Sequence, residues 1–243
     1  MKKVSGGSYI REPSRAQPQG QMVALLTRIR QHSVSSLLNA LGSMFDGIDD
    51  SFFELANHAH TNNEQNRFFE AMRELRIKRK GIESLFSQLL EQSFNQPVFL
   101  NKSASASQRQ TESLNIDALS LVQNDVLEET VAINSMITKA KANFTGILLQ
   151  FQTRVTSLYS NTSDEHPVNP LDPETVCQAF AQATSDLAIE IKEKLIVFKQ
   201  FDRYVMGNLG DLMEEANKQL VQAGIMPHLK YLARKSRVLP RTM

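Results

Sequence analysis

Tryptophan is absent from this chain of 243 residues, and cysteine occurs once, at Cys177. A single thiol excludes an intrachain disulfide and a CxxC-type metal knuckle, and it fits a reducing compartment. Glycine and proline are scarce, at 10 and 8 residues, so few positions interrupt regular structure. No run approaches the ~18 apolar residues of a membrane span. Met1-Lys2-Lys3 is not followed by the apolar stretch of a secretory signal. These absences predict a cytoplasmic protein. Neither charge dominates: 27 Lys and Arg against 26 Asp and Glu leave a formal net charge of +1. That balance argues against a global attraction to nucleic acid or anionic membrane and leaves only local patches. Glycine loops of the GxGxxG, P-loop and GxSxG kinds are missing. The expectation is a non-enzyme with no catalytic residue, no metal and no cofactor.

What remains is rich in Leu, Ala, Gln, Ser and Glu, with 41% hydrophobic residues, enough for a substantial core. Period-two alternation of useful length is absent. The sequence predicts an all-α protein, an elongated bundle of about five or six helices, some very long. Residues 1–20 mix Gly, Ser, Pro, Gln and Arg without periodicity and are expected to form a disordered arm. Residues 21–226 form the helical bundle domain, and 227–243 are a basic tail without acidic residues.

The first pattern runs through Leu26, Ile29, Val34, Leu37, Leu41, Met44 and Ile48, with Gly47 placed to close it. Ser51 and Glu54 then have capping-box spacing, which predicts a short separate helix through Phe52, Phe53 and Leu55. Thr61, Asn62 and Asn63 are suited to turn the chain and cap a central helix, Asn63–Phe94. Its apolar stripe is Phe68, Met72, Leu75, Ile82, Phe86 and Leu89. After a Ser/Ala/Gln linker, near-heptad apolar spacing predicts one long helix from Ser113 to Tyr159, bent at Gly146. Asp172 followed by Pro173 is a strong helix start. The helix it opens should carry Val176, Phe180, Ala183, Leu187, Ile191, Leu195 and Phe198. Gly207 and Gly210 mark a break, and Gly224 with Pro227 a final stop.

The densest positive run lies on the central helix. Arg73, Arg76 and Lys80 share a face, and with Arg79 they are the candidate binding residues. They would grip phosphate or an acidic partner. A plainer reading pairs them with Glu70, Glu74 and Glu83 on a solvated face, and no interleaved aromatics support base stacking. Asp46, Asp49, Asp50 and Glu54 would suit magnesium, but helix capping accounts for them without a metal. His58 and His60, two apart, fall on different sides of a helix and are poorly placed for zinc. Cys177 reads as a small buried hydrophobe, although its place after the Asp172-Pro173 cap would lower its pKa.

Several of these segments resemble an uncharacterised proteobacterial domain-of-unknown-function family of long helical proteins, in its N-terminal part. The resemblance is carried by the acidic turn before Phe52-Phe53, by Asn63-Glu64-Gln65-Asn66, and by Met72-Arg73-Glu74-Leu75-Arg76 through Lys80. It continues at Asn169-Pro170-Leu171-Asp172-Pro173, Phe201-Asp202-Arg203 and Ala223-Gly224-Ile225-Met226-Pro227, and so spans roughly Leu25 to Leu232. Some members carry the label thymidine phosphorylase, but this sequence has neither a phosphorylase-like glycine loop nor an α/β pattern. The resemblance implies a helical protein, usually much longer than this chain, and gives no residue roles. The expected function is a non-catalytic helical regulatory or scaffolding module mediating protein–protein interaction. A homodimer sharing the Ile133–Phe151 face is one form of it. The alternative is a nucleotide- or nucleic-acid-binding regulatory domain using Arg73, Arg76, Arg79 and Lys80.

Overall fold

Two long helices lead the chain: α1, Gln19–Asn57, and α2, Asn62–Asn95. At 1.5 Å per residue they measure about 58 and 51 Å. The computed structural model describes residues 19–95, 116–159 and 169–229, every helix in it is α or 3-10, and no strand occurs among them. The protein is all-α. Most of the 1–20 arm, the linker after α2 and the basic tail from Lys230 lie outside the described residues.

α1 does not end at Gly47. It runs on through Phe52, and the expected capping box at Ser51 does not form. Ser51 Oγ instead donates back to the carbonyl of Gly47 (3.1 Å) and accepts from Gln200 Nε2 (3.0 Å). Gly47 is there for close approach: a Cβ would stand 2.7 Å from the Tyr204 hydroxyl. The capping box occurs ten residues later, after α1 has ended. Thr61 Oγ1 accepts from the Glu64 N–H (3.2 Å), and the Glu64 carboxylate accepts from the His60 N–H (3.1 Å). This reciprocal pair satisfies donors at the start of α2.

The near-heptad pattern forms α3, Ile116–Asn143, and α4, Thr145–Tyr159, separated only at Phe144. The interruption falls before Gly146, not on it. Thr145 Oγ1 donates to the carbonyls of Lys141 (2.7 Å) and Ala142 (3.1 Å), a back-bonding pattern that bends helices. Hydrogen bonds from Phe144 to Ala140 and from Leu148 to Phe144 keep the path continuous.

Asp172 caps α5, Pro173–Ala183, accepting from the Glu174 N–H. The expected single helix then divides at Thr184, whose hydroxyl donates to the Phe180 carbonyl (2.8 Å), and resumes as α6, Ile191–Tyr204. A 3-10 turn, Met206–Asn208, leads to α7, Leu209–Gln222. Gly224 at φ 79° ends it, with Ile225 N–H bonded to the Leu220 carbonyl and Gly224 N–H to that of Val221, a Schellman stop.

The helices stack in three layers. α1 and α2 form an antiparallel hairpin; α5, α6 and α7 lie against it; α3 covers α5 and α6, while α4 covers α7. The middle layer is therefore built from the last three α-helices among the described residues. Its centre is aromatic: Phe180 and Phe201 stack at 3.8 Å, and Phe86 of α2 turns its edge to both. The Ile133–Phe151 face expected to join two chains is used within one: Phe151 is buried, and Ile133, Ile137, Phe144 and Ile147 pack on the core. No described helix is long and apolar enough to cross a membrane.

Candidate functional site: the outer face of the helical hairpin

Arg73, Arg76 and Lys80 lie on the side of α2 turned away from the buried Phe68, Leu75 and Phe86, whereas Arg79, four residues after Leu75, stands at the seam with α1. Helical geometry then divides the four candidate residues into two kinds. Arg76 and Arg79 lean toward α1 and meet its carboxylates. Arg76 Nε is 2.8 Å from Asp49 Oδ2, and Arg79 Nη1 is 2.6 Å from Asp46 Oδ1. Arg79 also holds Glu83 at 2.9 Å and sits 5.5 Å from the centre of the Phe45 ring. The hydrogen bond to Asp46, then that to Glu83, holds the Arg79 pKa above the ordinary arginine value against the pull of partial burial.

Arg73 and Lys80 are exposed and make no ion pair among the described residues. The plainer sequence reading is thus correct for the Arg79–Glu83 pair alone. Glu74 instead accepts from the backbone N–H of Ala188 (3.4 Å). Asp46 and Asp49 cap nothing, because α1 runs straight through them; they are the counter-charges of α2. No group of three or more His, Cys, Asp or Glu side chains able to hold a metal occurs among the described residues.

Three apolar residues whose exposure the sequence did not announce complete this face. Phe69 is 40% exposed, Ile77 63% and Phe53 52%. Phe69 and Ile77 stand four residues before and after Arg73, so all three share one helical stripe. The ring contact between Phe52 and Phe68 (6.1 Å) brings their neighbours Phe53 and Phe69 to the same end of the hairpin. The available signal was that Phe69 and Ile77 fall outside the core stripe of α2. Beyond Lys80 the face opens into a cleft of about 580 Å³ between α1 and α2, bordered by Leu38, Asn39, Lys80, Glu83, Ser87 and Glu91.

Elsewhere the structure removes a candidate. Cys177 is buried in α5 with its sulfur 3.6 Å from that of Met206. Burial first, then Asp202 and Asp172, pushes its thiol up from 9.0 to about 12. The cap at Asp172 does not lower it. The thiolate a nucleophile needs is suppressed.

No curated protein and no solved structure matches the chain. A family model does, over residues 21–224, a span that takes in all of the hairpin face and the whole middle layer. The chain belongs to the family described as "Protein of unknown function (DUF1631) N-terminal domain".

Proposed function

We propose that this chain is a non-catalytic cytoplasmic module, regulatory or scaffolding, that docks a protein partner on the outer face of the α1–α2 hairpin. The observation that carries the reading is the exposed stripe of Phe69, Arg73 and Ile77, with Phe53 beside it. Large apolar side chains next to an arginine that forms no ion pair among the described residues are the mixture found at the centres of protein interfaces. A helix this deeply anchored on its other face presents them on a rigid support. The lone buried thiol fits a reducing compartment.

The nucleic-acid alternative is weaker on the same geometry. Carboxylates already hold Arg76 and Arg79, leaving Arg73 and Lys80 for phosphates. Two such contacts give a salt slope of only about −1.8.

The test compares proteins retained from lysate by the immobilised full chain and by its Ile77→Asp and Phe69→Ser variants. A partner held by the wild-type chain and lost from both variants, but kept by a control changed at exposed Thr130, supports the docking face. Equal retention by all forms sinks it. Tight binding of a DNA or RNA oligomer with a steep salt dependence would transfer the face to the alternative.

A further inference from the structure

Phe69, Arg73, Ile77 and Lys80 follow one another at intervals of four, four and three residues, a strip about 17 Å long on α2. Two of the three carboxylates nearby in sequence are engaged elsewhere, and the third does not pair with the strip. Glu74 is bonded to the backbone of Ala188 and Glu83 is held by Arg79, while Glu70, exposed and three residues before Arg73, makes no ion pair with it. The strip therefore carries two cations that form no ion pair among the described residues, each within four residues of an exposed apolar side chain. Toward α1, Arg76 and Arg79 are already paired with carboxylates, so the strip's own unpaired cations are Arg73 and Lys80.

The backbone of this face is spent on helix hydrogen bonds, and no strand edge exists among the described residues. An extended peptide has nothing to pair with, so recognition must run through side chains. A helix laid along α2 meets that requirement, since its own side chains recur every three or four residues and match the strip's spacing. A membrane surface is a poorer fit. Interfacial helices offer a broad apolar face, whereas here an arginine stands between the two apolar residues.

Resting on the protein-docking reading above, we infer that the strip binds an acidic amphipathic helix of a partner protein. Apolar side chains of that helix lie against Phe69 and Ile77, and its Asp or Glu side chains meet Arg73, in a forked geometry, and Lys80.

The full chain would be used to select from a phage-displayed library of random 18-residue peptides. Selected peptides should carry Asp or Glu alongside apolar residues at three- and four-residue spacing. Their affinity should fall at least tenfold in the Arg73→Glu/Lys80→Glu variant. It should return when the peptide's acidic residues are changed to Lys. Circular dichroism identical to wild type confirms that the variant is folded; the milder Arg73→Gln/Lys80→Gln variant substitutes for it if it is not.

Failure to enrich any peptide, or enrichment of peptides without acidic residues, overturns the inference. Binding that survives charge reversal but is lost in Ile77→Asp removes the acidic helix and leaves the docking face standing. Binding that survives both removes both. Capture of phosphatidylcholine vesicles containing phosphatidylglycerol, or of a DNA oligomer, abolished by the same charge reversal, would assign the strip to a membrane or to nucleic acid instead.

Discussion

Arg79 on the hairpin and Arg154 on α4 carry the same guanidinium into opposite surroundings. Arg79 is half open to water and held by two carboxylates and an aromatic ring. Arg154 is 2% exposed and pairs with no carboxylate among the described residues. It donates to the neutral amide oxygens of Asn217 (2.6 Å) and Gln150 (3.4 Å), while its Nε is buried without a partner. Pairing raises the pKa of the first, and burial lowers that of the second. On the hairpin, then, charge is a surface fastening whose net worth is small because water competes for it. Inside, the charge itself opposes folding, and what matters is whether its neighbours keep their acceptors in place.

The interior should be the more sensitive side, and the largest effect is expected at Cys177. Its proton is retained in the fold up to about pH 12 and released from 9.0 in the unfolded chain. The stability this contributes is complete below pH 9 and declines by about 1.4 kcal/mol per pH unit above it. By pH 11 the wild-type chain should have lost roughly 3 kcal/mol from this source. Denaturant melts at pH 8.5 and 11 should show a steeper decline for wild type than for Cys177→Ala. Equal slopes would place the titration elsewhere.

Asn217→Leu removes the best acceptor of Arg154 and should cost about 2–3 kcal/mol. Adding Arg154→Met should recover most of that loss, because a buried charge without a carboxylate is replaced by a well-packed apolar chain. A double variant no more stable than Asn217→Leu would show that the guanidinium is itself stabilising, and would reverse the comparison. Gly210 belongs to the same interface: a Cβ there would lie 2.5 Å from the Phe144 ring. Gly210→Ala should lower the unfolding free energy by about 1–3 kcal/mol.

The smallest effect is expected on the hairpin. A double-mutant cycle on Asp46 and Arg79 should give a coupling below about 1 kcal/mol, shrinking further in 1 M salt. The raised Arg79 pKa adds no pH dependence on the arginine side until the solution passes the ordinary arginine value. A coupling as large as the Asn217 effect would erase the distinction between the two regions.

Much of the fold was legible because its punctuation is local. Asp172-Pro173 sets the start of α5, Gly224 the end of α7, and the Thr61–Glu64 step the start of α2. The motifs that carry the family resemblance do the same work. Asn169, buried, accepts from the Leu171 N–H through its side chain and from Asp172 through its backbone, shaping the turn into the cap. What escaped was decided by distant partners. Ser51 looks like a cap until Gln200 is known to reach it, and Asp46 and Asp49 look like capping or metal residues until α2 folds back beside them. Arg154 sits among apolar positions of an ordinary helix, and nothing in its neighbourhood announces burial against Asn217. The basic half of the candidate face was readable from spacing. Its apolar half was not, because the exposure of Phe69 and Ile77 depends on which side of α2 the middle layer covers.

The position of that middle layer also governs how the chain can be made. When synthesis has reached Tyr159, the hairpin and the long bent helix both exist, but the three helices that belong between them do not. At ~5–20 residues per second, Gln222 follows roughly 3–13 s later. Throughout that interval the apolar sides around Phe86 and Phe151 lack the helices they pack against in the folded chain. The nascent protein has to tolerate, or have shielded by a chaperone, two apolar surfaces that only α5, α6 and α7 can close.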